Sequence, residues 1–398
     1  MNKNKPPLDG VKILTTDPEK RIGLYAIRYL GRAGAKVSSI GEQNGSKVPL
    51  GFLSKYLETA IPVKGGNFLI HLKNLLIEHS REYQIIDPID ISKMLCVLDT
   101  DKEFNLNCNY LLPRRDSLVI ANNKELLTRH AFEVGLNCPK TFSQVSLDDI
   151  KDLSTELTYP SIIKFRGDER ETHWSPEDRY SIVLSPDKLE SEYRRMHYIE
   201  KYPIIQEYIR GPGFGYFALF DRNRNLKAQF CHKRIREYPV TGGPSSCCES
   251  FHDSELIQAG KKLMESLEWT GLAMVEFKFD EARKQYFIIE INPRYWGSLP
   301  LAVLSGVNFP VLHALSSLDI NYNPVLDYKK GVKVRFLDRD VRSIIHHILR
   351  NNRSFAEKVR LFLEIFNPLI KEGFITLDDI GPVLGRRIFK SSETRIAS

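Results

Sequence analysis

The chain has 398 residues, 42% of them hydrophobic and 27% charged, enough for a well-filled core in two or three domains. A formal net charge of +7 and a pI of about 8.9 form a modest basic excess, compatible with an anionic small ligand. No dense Lys/Arg stripe interleaves with aromatics, so no nucleic-acid partner is expected. No run of about 18 apolar residues appears, so no transmembrane segment is expected, and the polar start MNKNKPPLDG lacks the apolar stretch of a signal peptide. The six cysteines form no CxxC pair and are few for a disulfide scaffold, which makes a reducing, cytoplasmic setting the default.

The first ~110 residues read as α/β. VKILTT (11–16) is a short strand, RIGLYAIRYLGRAG (21–34) a helix with apolar residues at helical spacing, and KVSSIG (36–41) a second strand, which completes a βαβ unit. No GxGxxG follows the first strand, so a dinucleotide site is not expected there. FLIHLKNLLIEHS (68–80) reads as a helix and YQIIDPID (83–90) as a strand. Further along, NNKELLTRHAFEVG (122–135) is a helix with an Asn start, and YPSIIKF (159–165) and YPIIQEYI (202–209) are strands. FGYFALFD (214–221) and LKAQFCHKRI (226–235) pair as a meander, and SELIQAGKKLMESLEW (254–269) is helical. Two helix-like stretches, VRSIIHHILRNN and FAEKVRLFLEIFNPLI, occupy the last ~85 residues, where Arg342, His346, His347, Arg350 and Arg353 read as a solvated basic face.

FIIEINPRYWGS (287–298) poses the chemical question, because Glu290, Asn292 and Arg294 alternate and so share one strand face. LAMVEFKF (272–279) precedes it across DEARK. A three-residue loop at Ala282–Lys284 sets Glu276 opposite Glu290, Met274 opposite Asn292 and Leu272 opposite Arg294. Ala273, Val275, Phe277 and Phe279 then face Phe287, Ile289 and Ile291 as a core surface. Two facing carboxylates destabilise a sheet, by ~4 kcal/mol at ~4 Å and an effective dielectric near ~20. A bound cation reverses that sign. Two carboxylates and an amide oxygen are a hard, all-oxygen set suited to Mg²⁺ or Mn²⁺ rather than zinc, and Mg²⁺ usually completes its shell with substrate phosphates. The bland alternative is a solvated acidic pair, which the apolar context of both strands disfavours.

VEFKF…FIIEINPRYWGS resembles the metal-binding end of the ATP-grasp fold. The resemblance implies Glu276, Glu290 and Asn292 as ligands of two Mg²⁺ ions over ATP. It implies Arg294 as the cation meeting the transferred phosphoryl group or an acyl phosphate. Lys124 in ANNKELLT and Lys164 in SIIKFRG resemble the lysines that hold α- and β-phosphate oxygens. IIQEYIRG (204–211) is similar to the hinge strand that reads adenine, which carries the expectation to Gln206, Glu207 and the backbone of Ile209. In CHKRIREYPVTGGPS (231–245), His232, Arg234 and Arg236 alternate along one strand. Beside a metal–phosphate site these three are expected to grip phosphate and the substrate carboxylate, with TGGPS a close-approach loop or a plain tight turn.

With INPRYWGS, IRYLGRAGAKV and TLDDIGPVL, that segment is similar to a group of ATP-dependent carboxylate–amine ligases. The architecture implied is an α/β chain, α+β in its ATP-grasp part. It comprises an N-terminal Rossmann-like domain (1–112), an ATP-grasp domain (113–312) and a mostly helical C-terminal extension (313–398). Within the ATP-grasp part, a small lid (about 140–200) and a larger antiparallel-sheet domain clasp ATP. The activity implied is amide formation through an acyl phosphate from a small carboxylate and an amine, with ATP and Mg²⁺ or Mn²⁺, and a homodimer is a compatible assembly. Two other activities fit the same fold: a nucleotide-binding regulatory or scaffold protein, and a bicarbonate-using carboxylase-like enzyme. The loop GDERETHWSPEDRY after Lys164 is acidic and bulky where the superfamily carries small residues, and His173 and Trp174 within it have no chemical assignment. Tyr295 and Trp296 divide evenly between pocket lining and core packing.

Overall fold

Parallel strands need crossover helices, and the N-terminal region alternates the two. The computed structural model describes residues 5–45, 47–167, 180–240, 242–350 and 353–385. Lid-loop residues 168–179, with His173 and Trp174, and Thr241 of the TGGPS loop lie outside the described residues. The first unit comprises β1 (Lys12–Thr16), α1 (Arg21–Arg32), β2 (Lys36–Glu42), β3 (Thr59–Val63), α2 (Phe68–His79), β4 (Ile85–Asp87) and α3 (Ile91–Phe104). Its strands run parallel in the order β3-β2-β1-β4. Helix α1 buries Tyr25, Ala26 and Leu30 of the apolar spacing read from the sequence, and Leu24 and Ile27 as well, while Ile22 and Tyr29 of that spacing are half-buried.

Helices α4 (Arg115–Asn122) and α5 (Lys124–Glu133) follow. The Asn123 side chain caps α5 by accepting from the amides of Glu125 and Leu126, which fixes Lys124 at the first helical position. The small unit then contains β5 (Thr141–Phe142), α6 (Ile150–Glu156), β6 (Ser161–Lys164), β7 (Tyr180–Val183), α7 (Pro186–Ile199) and β8 (Ile204–Glu207). Its antiparallel sheet has the order β5-β8-β6-β7, over a core of Ile150, Ile163, Phe165, Leu189, Tyr193 and Met196. The hinge strand β8 is thus an inner strand of this sheet.

The large unit is built from β9 (Gly213–Phe220), β10 (Leu226–Glu237), β11 (Ser245–Phe251), α8 (Ser254–Ser266), β12 (Gly271–Asp280) and β13 (Gln285–Asn292). It continues through α9 (Leu299–Leu304), α10 (Phe309–Ser317), β14 (Lys333–Arg335), α11 (Leu337–Leu349), α12 (Phe355–Glu364) and β15 (Ile370–Glu372). The seven strands take the order β13-β12-β9-β10-β11-β14-β15, with β9 buried along its whole length. Helix α8 crosses β9 closely at Gly260, where a Cβ would sit 2.3 Å from the Tyr216 ring.

The C-terminal region carries the helices α11 and α12 expected of it, and its two short strands β14 and β15 also complete the large sheet. Its last segment also returns to the first unit. Asp379 accepts from Arg28 Nε at 2.7 Å with both side chains buried, and Asp378 takes Arg32 and Tyr56 Oη at 2.8 and 2.7 Å. No described helix is long and apolar enough to cross a membrane, and all six cysteines are free thiols.

Candidate active site

The hairpin β12–β13 sets the geometry. Glu276 pairs with Glu290 and Met274 with Asn292, as strand alternation predicts, while Leu272 pairs instead with Leu219 of β9 and Arg294 lies beyond the end of β13. The turn is one residue longer than expected. Asp280 Oδ1 accepts from the amides of Ala282 and Arg283, Lys284 takes a left-handed φ of 53°, and Asp280 pairs with Gln285. A bulge at Ile289 absorbs the extra residue before Glu276 is reached. It corrects the expected core face: Ile288 and Tyr286 pair with Phe277 and Phe279, while Ile289 turns into the cleft.

That cleft is a cavity of about 390 Å³ between the small sheet and the large one. Lys124, Lys164, Glu207, Ile209, Arg234, Glu276, Glu290, Asn292 and Arg294 all line it, so nine of the eleven residues predicted for the site come together. Arg234 Nη2 lies 2.6 Å from Glu276 and its Nη1 3.3 Å from Glu237. Lys124 Nζ is 3.8 Å from Glu290, and Asn292 Nδ2 donates to Glu290 at 3.2 Å, an arrangement that leaves the Asn292 amide oxygen available as a ligand. Burial, with Glu290 opposite, pushes the Glu276 carboxyl up to about 7 against the pull of Arg234. Burial beside Lys124 brings the Lys164 ammonium down to about 8.

Two predicted residues do not join them. Gln206 is buried in β8 and its side-chain nitrogen donates to Thr141 Oγ1 at 2.9 Å; Tyr208 and Ile209, past the strand, meet the cavity instead. Arg236 leaves the site because β10 bulges between Arg234 and Arg236 and breaks the alternation. Its guanidinium binds Asp340 at 2.7 and 2.9 Å and also pairs with Glu364, a structural role on α11 and α12. His232 does line the cavity, but not as a cation. Burial holds its imidazole well below the usual range, and Nδ1 sits 3.0 Å from Ser298 Oγ.

Strand alternation offered no sign of several neighbours: Arg21, Tyr180, Tyr208, Glu237, Phe336 and Arg339 also line the cavity. Gly242, Gly243, Pro244 and Ser245 bring the TGGPS loop to its wall. Trp296 is both lining and core, packed on Phe217 and Phe309 at 4.3 and 4.9 Å between centroids. Tyr295 is core alone: its hydroxyl donates to Asp87 at 3.0 Å, which ties the turn carrying Arg294 to the end of β4. Lys278 Nζ donates to Gly211 O at 3.2 Å from the cavity wall.

A cation fits this arrangement. Two carboxylates and an amide line one cavity from paired strands, and one carboxyl is driven toward its neutral form by burial and its opposite number. Among the described residues no group of three His, Cys, Asp or Glu that could hold a metal ion stands together.

The sequence profile of a family described as "ATP-grasp in the biosynthetic pathway with Ter operon" matches residues 233–339. The carbamoyl phosphate synthase large chain of Sulfolobus acidocaldarius is 22% identical over 306 residues, 70% of this chain and 28% of that protein. This chain thus spans less than a third of that relative's length. The biotin carboxylase domain of Hydrogenobacter thermophilus 2-oxoglutarate carboxylase, solved with MgADP and bicarbonate, superposes with a TM-score of 0.66 at 14% identity, covering 81% of this chain and 73% of that one. The L-amino acid ligase of Bacillus licheniformis gives a TM-score of 0.57 at 14% identity, over 78% and 74% of the two chains. At these identities the superpositions speak to the fold.

Proposed function

From a chain that belongs to the ATP-grasp superfamily, we propose an ATP-dependent carboxylate–amine ligase that forms an amide through an acyl phosphate and releases ADP and phosphate. The observation that carries this reading is the convergence of Glu276, Glu290 and Asn292 with Lys124 and Lys164 in one cavity. Phosphoryl transfer asks mainly for positioning and charge neutralisation, and these residues supply both without a side-chain nucleophile. In this reading Glu207, Tyr208 and Ile209 receive the adenine end, and Lys124 and Lys164 hold phosphate oxygens. Arg294 meets the transferred group. Arg234 is a positioning residue that fixes Glu276. Glu276, Glu290 and Asn292 would hold Mg²⁺ or Mn²⁺, which supplies neutralisation of the phosphates.

Residues 1–112, 113–312 and 313–398 form the proposed domains, with a lid at about 140–200 that excludes water. The proposed partners are a small carboxylate and an amine, and a homodimer is the proposed assembly.

A screen of amino acids and other small acids with amines, Mg²⁺ and ATP is expected to find a pair that stimulates ADP release. Tight ATP binding with no such pair would support the regulatory reading. Bicarbonate-stimulated ATP hydrolysis would support the carboxylase-like one, which the carbamoyl phosphate synthase and carboxylase likenesses favour at the level of fold.

The lowered Lys164 adds a pH prediction. Free protein loses this proton around pH 8, whereas bound phosphate favours the charged form and raises the value again. Nucleotide binding is therefore expected to take up a fraction of a proton between about pH 8 and 9, and to weaken as pH rises through that window. Titration calorimetry in buffers of differing ionisation enthalpy measures the uptake, and a Lys164→Met variant should lose it. For stability the sign is opposite to that of a paired lysine. The unfolded chain holds more protons than the folded one above about pH 8, so this group's burial penalty shrinks as pH rises toward its ordinary value.

A further inference from the structure

Helix α12 leaves an apolar face in solvent. Phe355, Val359, Phe362 and Leu363 fall on one side of the helix, and Phe366 continues that side in the turn beyond. All five are between 40% and 83% exposed. The Phe362 and Phe366 rings lie together, 5.6 Å between centroids, and Leu369 follows them at 77% exposure. No residue of α12 is buried. Soluble chains seldom present a contiguous apolar stripe of this kind without a contact to make through it.

The helix is formed and held from behind before any such contact. Ser354 and Glu357 close a capping box, with the Glu357 side chain accepting from the Ser354 amide at 2.8 Å. The Glu364 carboxylate pairs with Arg236, and Arg335 Nη1 donates to the carbonyls of Glu364 and Ile365 at 2.9 and 2.7 Å. Binding through the outer face therefore has no helix to order first.

The charges are sorted around the stripe. Helical spacing puts Lys358 and Arg360 on its two flanks and both glutamates, Glu357 and Glu364, on the opposite side. Neither flanking cation has an ion pair among the described residues. Residues 341–371 hold six Lys and Arg against two Glu, a net +4 out of the chain's +7, and Arg342, Arg350 and Lys371 are exposed as well.

This sorting selects the occupant. A second copy seated face to face on the stripe would bring the flanking cations of both copies together, and like charges across an interface oppose it. An anionic lipid surface meets both features at once, with hydrocarbon for the apolar centre and negative headgroups for the basic flanks. We propose that α12 docks the protein on an anionic membrane surface, its phenylalanines entering the headgroup–acyl boundary while Lys358 and Arg360 reach the headgroups. Their long apolar stems allow the ammonium and guanidinium to stay at that level. Ten residues are too few to span a bilayer, so the helix lies on the surface. The inference does not depend on the ligase reading, because none of the stripe residues lines the cavity.

Co-sedimentation of the full chain with phosphatidylcholine vesicles, with and without about 30% phosphatidylglycerol, tests it. The parent is expected to sediment with the anionic vesicles and to stay in solution with the neutral ones. A Phe362→Ser, Phe366→Ser variant and a Lys358→Glu, Arg360→Glu variant should each lose at least about tenfold in partitioning, since one pair removes the inserted rings and the other the headgroup contacts. Affinity for a non-hydrolysable ATP analogue should be unchanged in both. Should the serine variant fold poorly by circular dichroism, the charge-reversed one carries the comparison. No sedimentation with anionic vesicles, equal sedimentation with neutral ones, or binding that survives both pairs of substitutions overturns the proposal. So does self-association of the parent, seen by sedimentation velocity, that the serine variant abolishes, because the stripe then belongs to a second copy.

Discussion

Glu290→Ala is expected to reduce ADP release by at least about 10²–10³-fold, the range seen when one group that stabilises developing charge is removed. Three local effects act together. The substitution deletes one of the two facing carboxylates, frees Asn292 Nδ2 from its acceptor and leaves Lys124 without the charge 3.8 Å away. Glu276, shared with Arg234 at 2.6 Å, is then the one carboxylate left of the facing pair. Stability should move the other way or stay level. Removing Glu290 relieves a like-charge contact that helps raise the Glu276 carboxyl, so the metal-free variant is expected to melt no lower than the parent. Loss of turnover with an unchanged or higher melting temperature separates a site role from a folding role. A coupled ADP assay and a thermal melt on the same preparations measure both.

Arg236→Met is expected to do the reverse. It strands the buried Asp340 carboxylate and the Glu364 partner, and breaking a buried pair from one side costs about 3–5 kcal/mol. The folded fraction should nevertheless retain the parent's KM values, because this guanidinium does not reach the cavity. Pairing it with Asp340→Leu should recover most of the loss, since the uncompensated charge is the main penalty. Denaturant unfolding of the single and double variants measures the effect. A drop in turnover with unchanged stability would restore Arg236 to the site where its strand position first put it.

The contrast between these two residues shows what was legible in the sequence. Period-2 alternation in two apolar strands was enough to face Glu276 with Glu290 and to put Asn292 on the same side, and the pairing holds. The longer turn is a local decision of Asp280, whose carboxylate takes two amides, and the compensating bulge at Ile289 follows from it. Neither changes the pairing of Glu276 with Glu290, but together they exchange Ile289 for Ile288 in the core. The bulge at Ile235 is costlier, because alternation is the only evidence that placed Arg236 beside Arg234. Gln206 failed for a related reason: one residue of strand decides whether a side chain faces Thr141 or the cleft.

Long amphipathic helices and central strands were readable from periodicity. The three-residue strands β14 and β15 were not, since so short a segment carries no period and pairs only because the large sheet is already there. The same holds for Arg21 and Arg339. Each is an ordinary polar residue in the first turn of a helix, and only the packing of the N-terminal and C-terminal units against the hairpin brings both to one cavity.

The central claim is that Glu276, Glu290 and Asn292 together hold a divalent cation with the nucleotide. Titration of Mn²⁺, followed by its electron paramagnetic resonance, into the parent and the Glu290→Ala variant with and without a non-hydrolysable ATP analogue tests it directly. The account predicts tight Mn²⁺ binding to the parent when nucleotide is present, and loss of most of that binding in the variant. Equal Mn²⁺ binding by the two proteins, with nucleotide bound to both, would contradict it.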